Sequence, residues 1–536
     1  MSLLALRKNW GLLLVILGGF VLNHHITKRL DIIATDDDNI FYNGLTLSTN
    51  GLPPVQTSPF FSFWYAALNL FLQDSVQVYY LNWVLISALV GVGFYFLLRS
   101  LQINTAVSGW LALFFLFFYL NFPLLPKVSL FALTLMLFGM AAANAFGKTL
   151  FHRTLLTALT VLVASYVRPE FYVAFLLLAA LSLFLFFQNR PQSSPKGLLL
   201  VLGVAVALVV IFGFPLGGGR SHIAFGQHFA MNYAIWHPEI PFSPWMHSEV
   251  FIQKAFGRQV TSVGDAFSLN PSIFLKHIFT NISNLISNTF YNIKTLFWGS
   301  IYDSVHFGGR RYLIGGLLLG TIAMVDFPRS MRQISINFRT SGWFLGVLLL
   351  VLAPTFISTV LIFPREHYVV FHCAMYLTVA GLLLDGIEWR SLAGLGSFKT
   401  PFLVTLNTFL LVLFLWPRYQ NTTQNAPRPN YDVLHALQNL RISQPITMLG
   451  TEPLTYYLYL GSNWNFHFLD QYYPKDFKKF ITDKQINCIF VRDKMTKYFK
   501  NDAGFADFIK NYDALGYVKK KGVLPSDAIY VSKNLK

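Results

Sequence analysis

The chain has 536 residues, 54% of them hydrophobic and only 12% charged. That is about half the charged share of an average soluble domain, and it excludes the ordinary soluble class in favour of a multi-pass membrane protein. The net charge of +17 is not a nucleic-acid footprint, because much of it sits in short loops between apolar runs, where it sets orientation and meets anionic head groups. The two cysteines, Cys373 and Cys488, exclude a thiolate metal cluster and argue against a disulfide.

Apolar runs at or near bilayer-crossing length, roughly 17–25 residues, recur at 10–27, 76–98, 105–122, 128–146, 154–168, 171–188, 197–215, 311–326, 342–362, 369–387 and 401–416. They predict an α-helical polytopic membrane protein with a bundle of about eleven spans. The first run lacks a small-residue cleavage site and reads as a retained helix. Alternate connections hold Arg7 and Lys8, Arg99, Lys148 and Arg153, Arg190 and Lys196, Arg329, Arg332 and Arg339, then Arg390 and Lys399. Positive charge marks the cytoplasmic side, so the N-terminus is expected inside. Lys28 and Arg29 oppose this and are outvoted by the later loops.

The spans form a membrane module over 1–416, with outer segments at 28–75 and 216–310. Within the first, residues 59–73 are apolar and aromatic but short, as for a helix lying in the interface. Within the second, FLKHIFTNISNLISNTFYNI has helical periodicity and is expected along the membrane surface. A polar linker at 417–430 leads to 431–536. The tail from Pro417 carries 17 Lys and Arg against 10 Asp and Glu. There the runs YDVLHALQNL, PITMLGT, FHFLD, INCIFVRD and AIYVSK alternate helix-like and strand-like character, which predicts a small α/β domain. With the N-terminus inside, this domain is extracytoplasmic.

Three elements are able to carry chemistry. The first is the triplet Asp36-Asp37-Asp38, about ten residues beyond the first span. One aspartate suffices to cap a helix, and three exceed that need. Carboxylates at the mouth of a membrane bundle are costly and usually functional. The second is YVRPEF, residues 166–171, where Pro169 breaks the helix. Arg168 pairs with Glu170 as a brace in one reading and meets a lipid phosphate in the other. The third is FPREHYVVFH, residues 363–372, whose Arg365, His367 and Tyr368 suit either an interfacial anchor or a phosphate and a pyranose. Lys127, beyond Pro123 and Pro126, is a weaker candidate of the same kind. His24 and His25 lie on different helix faces, and His222, His228, His237 and His247 lack zinc-site spacing. No Walker A loop occurs. The sequons at Asn281 and Asn421 say nothing alone.

The loop TDDDNIFYNGLTLSTNGLPPVQTSPFFSFW places an acidic pair, a short helix, a glycine turn and a Thr-Ser-Pro element in series. It resembles the GT-C superfamily of membrane glycosyltransferases that use polyprenyl-phosphate sugars, and most of all the bacterial cell-envelope transferases of the arabinofuranosyl, mannosyl and aminoarabinose types. The sequence LPPVQ replaces a longer glycine-rich stretch of that pattern. The resemblance implies an inverting transfer from a polyprenyl-phosphate sugar to a glycan, lipid or protein acceptor outside a bacterial plasma membrane, with no nucleic-acid partner. It implies a general base among Asp37, Asp38 and Asp36, and contacts to donor phosphate or sugar from Arg365, His367, Tyr368, Arg168 and Lys127. Asp37 and Asp38 are also able to hold a divalent cation such as Mg, Mn or Ca through oxygen ligands, although none is required. A polyprenol-linked lipid transporter and a non-catalytic envelope assembly protein are the competing readings.

Overall fold

The computed structural model describes residues 10–32, 38–72, 74–121, 127–188, 195–216, 220–240, 243–245, 247–297, 325–388, 419–420, 426–451, 456–461, 463–472, 474–522 and 526–535. It divides into two units, one of residues 1–24, 47–64 and 83–424, the other of 25–46, 65–82 and 425–536.

Helices dominate the first unit: α1 (Trp10–Asn23), then α2 (Asp38–Leu45) in the second unit, then α3 (Pro59–Phe71) and α4 (Ser75–Ser100), which the two units share. The first unit continues with α5 (Thr105–Leu116), α6 (Lys127–Phe146), α7 (Leu150–Ser165), α8 (Phe171–Gln188) and α9 (Pro195–Phe212). It ends with α10 (Arg220–Trp236), α11 (Ser248–Phe256), α12 (Val263–Leu269), α13 (Pro271–Phe297), α14 (Phe327–Leu361) and α15 (Cys373–Asp385). Among the described residues seven helices are long and apolar enough to cross a membrane, and α5 and α7 are shorter apolar helices. These nine correspond to nine of the eleven expected runs. The run at 401–416 and nearly all of 311–326 lie outside the described residues. Large apolar side chains such as Phe20, Phe184, Leu199 and Val210 are exposed, as lipid-facing positions must be.

Local chemistry sets the helix starts. Asn104 caps α5 through Val107 N, and Thr149 caps α7 through His152 N. Asp326 caps α14, with Pro328 in its first turn. That cap moves the start of α14 well ahead of the expected 342, so Arg329, Arg332 and Arg339 sit within the helix rather than in a loop. At 35 residues α14 is about 50 Å long, more than the ~30 Å hydrocarbon core needs. Helices α1 and α5 cross at glycines: a Cβ on Gly109 would lie 3.1 Å from the Gly11 Cα, a small-residue contact typical of membrane helix pairs.

Within the segment expected as an outer loop at 216–310, the described residues form helices α10 to α13 around their own core. Phe225, Phe229, Phe251, Phe256 and Phe274 pack together there.

The second unit holds a five-stranded sheet of β1 (Ile446–Gly450), β2 (Trp464–Phe468), β3 (Cys488–Val491), β4 (Tyr517–Lys521) and β5 (Ala528–Ser532), in the order β2-β1-β3-β5-β4. β1 runs parallel to β2 and β3, while β5 runs antiparallel to β3 and β4. The short helices α16 (Pro429–Gln438), α17 (Tyr456–Leu460), α18 (Phe477–Asp483), α19 (Asp493–Tyr498) and α20 (Ala503–Asn511) flank it. Phe477, Phe499, Phe505 and Phe508 cover one face of the sheet, with Ile489 and Tyr530 beneath them.

Candidate functional site

In the first unit the chain brings two of the sequence motifs and the Thr-Ser-Pro element together. Ser58 adopts a left-handed φ of 55°, a strained state outside glycine. Its buried hydroxyl donates to Val167 O at 2.7 Å, so the turn before α3 is fastened to the residue preceding Arg168. Phe60 packs edge-on against Tyr166, and Phe61 stacks on Phe131 of α6 at 4.8 Å.

The turn between α7 and α8 then aims Arg168 inward. Its Nε donates to Glu170 Oε1 at 2.8 Å and its Nη2 reaches the same oxygen. Nη1 donates to Ser129 Oγ on α6 at 3.2 Å. The guanidinium also lies 4.8 Å from the ring centroid of Tyr368. Both members of the ion pair are largely buried, and the pair ties the two ends of this turn together. Lys127 opens α6, and its side chain lies outside the described groups.

Beyond α14 the chain turns at Ile362–Pro364 into a short helix, Glu366–Val369, that leads to α15. Arg365 caps this helix at its start, and its guanidinium stacks over Trp245 at 5.2 Å. Among the described residues no carboxylate pairs with it. His367 is buried beside Tyr368, with ring centroids 4.3 Å apart. Arg168, Arg365 and His228 are all within electrostatic reach of His367. The His228 ring stacks on Phe363 and meets Trp245 edge-on. Arg168, Arg365, His367 and Tyr368 therefore form one cationic and aromatic cluster at helix ends. No family model matches the chain, and no curated protein matches it.

The cluster has supports to which the sequence reading assigned no such role. Trp245 and His228 are two. The others lie on α10 and α13: Asn232, His277 and Asn281 are buried, and Asn232 Nδ2 bonds both of the other two. Burial takes the His277 imidazole down to about 4, so it is neutral near physiological pH. With Nδ1 accepting from Asn232 at 3.0 Å, the Nε2–H donates to Leu361 O at 3.2 Å. The sequon residue Asn281 has no solvent exposure and is closed to glycosylation in the folded chain. The signal was available, because His277, Asn281, Asn288 and Asn292 recur on one helical face.

Of the acidic triplet, Asp36 and Asp37 lie outside the described residues. Asp38 opens α2, which belongs to the same unit as the C-terminal sheet. Phe41 of α2 packs against Tyr65 and Tyr459 at 4.8 and 5.7 Å. Among the described residues no three His, Cys, Asp or Glu side chains gather as a metal site requires.

Asp31 is a further acid the sequence reading passed over. Its two oxygens accept the backbone N–H groups of Asn430 and Tyr431 at 3.0 and 2.8 Å. These are free first-turn amides of α16, whose own N-cap residue, Arg428, makes no side-chain cap bond. Asp31 thus caps the first helix of the tail from a distance of 400 residues. Tyr79 and Tyr80 donate to the carbonyls of Asp31 and Leu30, and Arg428 bonds Thr27 O.

Asp31→Ala should lower stability by about 1–2 kcal/mol, as for other lost helix caps, while Asp31→Asn should retain most of it. Thermal unfolding of the full chain in detergent measures this. Burial raises the Asp31 carboxyl above its usual range, against the two N–H bonds that lower it. The folded state then holds the proton more tightly than the unfolded chain. Its contribution is greatest at low pH and declines as pH rises through the folded pKa.

Proposed function

We propose that the protein is a membrane glycosyltransferase that moves a sugar from a polyprenyl-phosphate donor to an envelope glycan, lipid or protein acceptor on the extracytoplasmic face. The observation that supports it best is Arg365: a half-buried guanidinium, stacked on Trp245, with no acidic partner among the described residues, inside a His, Tyr and Arg cluster at helix ends. A guanidinium so placed suits a phosphate headgroup, which it meets with two parallel donors. The aromatic faces of Trp245, Tyr368 and Phe363 suit the sugar and the start of the prenyl chain.

In this reading Asp37, with Asp38 and Asp36 as alternatives, accepts the proton of the acceptor hydroxyl. The acceptor oxygen attacks the anomeric carbon from the face opposite the leaving group. The C1–O bond to phosphate breaks, and the polyprenyl phosphate departs with the electron pair. Its charge is met by Arg365 and its neighbours His367 and Tyr368. Inversion at the anomeric carbon follows. Asp37 and Asp38 are also able to hold a divalent cation through oxygen ligands.

The purified protein, assayed with a panel of polyprenyl-phosphate sugars and an envelope-glycan extract, should release polyprenyl phosphate from at least one donor. Release from none favours the non-catalytic reading. Orientation has its own test. Cys373 and Cys488 are fully buried, so a cysteine introduced at the exposed Ser526 reports alone. It should react with an impermeant thiol reagent on intact cells. Reaction only after permeabilisation would invert the topology and put the cluster on the wrong side.

A further inference from the structure

The backbone that presents Arg365 is held by a row of side chains from one helix. α14 ends at Leu361, and the last carbonyls of any helix lack intrahelical partners. The usual remedy is a glycine just past the end, but Ile362-Phe363-Pro364 follows here. Helix α13 takes over that role. Asn281 Nδ2 donates to Val360 O at 2.9 Å and to Ile362 O at 3.0 Å. His277 Nε2 donates to Leu361 O, and Asn288 Nδ2 donates to Pro364 O at 3.0 Å. Behind them Asn232 Nδ2 donates to Asn281 Oδ1 at 2.8 Å and to His277 Nδ1.

The row does more than close a helix. Pro364 lies beyond α14, is buried, and immediately precedes Arg365. With carbonyls 360, 361, 362 and 364 all fixed, the approach to Arg365 has little freedom left. On its far side Arg365 O accepts from Tyr368 N at 2.9 Å. The guanidinium is then oriented by its own torsions and by Trp245. A cation fixed before its anion arrives loses less conformational entropy on binding.

We propose that His277, Asn281 and Asn288 are positioning residues for Arg365, and that they set the affinity of the cluster for a phosphate-bearing isoprenoid. This rests on reading Arg365 as the phosphate contact. The order of the row gives it a gradient. Asn281 and His277 are wholly buried, with three and two bonds respectively, and their loss threatens folding. Asn288 is half-buried with a single bond, to the residue beside Arg365, and is the clean probe.

The test uses the full chain in detergent, with farnesyl phosphate as ligand and farnesol as its uncharged control. Arg365→Ala should weaken farnesyl phosphate roughly ten- to hundredfold, the scale of one or two lost charge-assisted hydrogen bonds. Asn288→Ala should weaken it about three- to tenfold, and farnesol should be unaffected by either change. The double variant should bind no more weakly than Arg365→Ala alone, because residues acting through one group are not additive. An unchanged affinity in Asn288→Ala overturns the proposal. So does a loss that persists in full on the Arg365→Ala background, or one shared by farnesol, since both mark a general structural role. If Arg365→Ala itself leaves farnesyl phosphate binding intact, the phosphate-site reading falls and the positioning role falls with it.

Discussion

Asp37→Asn should fold and bind donor as the unaltered protein does, yet lose sugar transfer by roughly 10²–10⁴-fold, the share that a positioned general base supplies. Asparagine caps a helix about as well as aspartate, so the change spares whatever the acid does for the start of α2. What it removes is the ability to accept the acceptor's proton. Asp38→Asn is the companion, because Asp38 lies in the first turn of α2, where an acid meets the positive end of the helix. The proposed division of labour is therefore a large loss at Asp37 and a smaller one at Asp38. Transfer at the full rate in both variants would remove the triplet from catalysis. The measurement is initial rate at saturating donor, with donor affinity followed separately so that binding and chemistry are not confused.

Much of the helical framework was legible because lipid-facing helices write themselves as long apolar runs. The expected runs at 76–98, 128–146 and 171–188 match Ser75–Ser100, Lys127–Phe146 and Phe171–Gln188 closely. The misplaced start was that of α14. RSMRQISINFR reads as a basic loop, but Asp326 and Pro328 ahead of it are a helix-start signature. In the tail, four strands were marked by alternation or apolar runs. β4 was not, because Tyr517-Val518-Lys519-Lys520-Lys521 reads as a solvated charge run. It is an edge strand held by backbone pairing to β5, and lysines on such an edge discourage further pairing.

The candidate site was legible where charge stands out against an apolar background, as at Arg168 and Arg365. Its supports were harder to see. Asn281 and Asn288 are neutral, and a polar stripe on an amphipathic helix reads as its wet face. Here the stripe is turned inward, because the carbonyls at the end of α14 need donors that Ile362 and Pro364 do not provide. Asp31 was hidden for another reason. Its partners Asn430 and Tyr431 are 400 residues away, and no local pattern in the chain announces a cap supplied from so far.

Arg168→Ala should destabilise the protein by about 3–5 kcal/mol, the usual consequence of removing one partner from a buried ion pair. The side chains of Arg168 and Glu170 are 11% and 17% exposed, so the carboxylate left behind has little water to turn to. The same change also frees Ser129 Oγ and empties the face of Tyr368. Arg168→Lys keeps the charge but not the fork that reaches Glu170 and Ser129 together, and should recover only part of the loss. Glu170→Gln placed on Arg168→Ala removes the stranded charge and should restore a substantial share of the stability. Thermal midpoints in detergent for the three variants decide the matter. If Arg168→Ala unfolds at the same temperature as the unaltered chain and weakens only the donor, bracing is not its role. Arg168 would then join Arg365 at the phosphate. The geometry favours bracing, because Glu170, Ser129 and Tyr368 already occupy the guanidinium, whereas among the described residues no carboxylate pairs with Arg365.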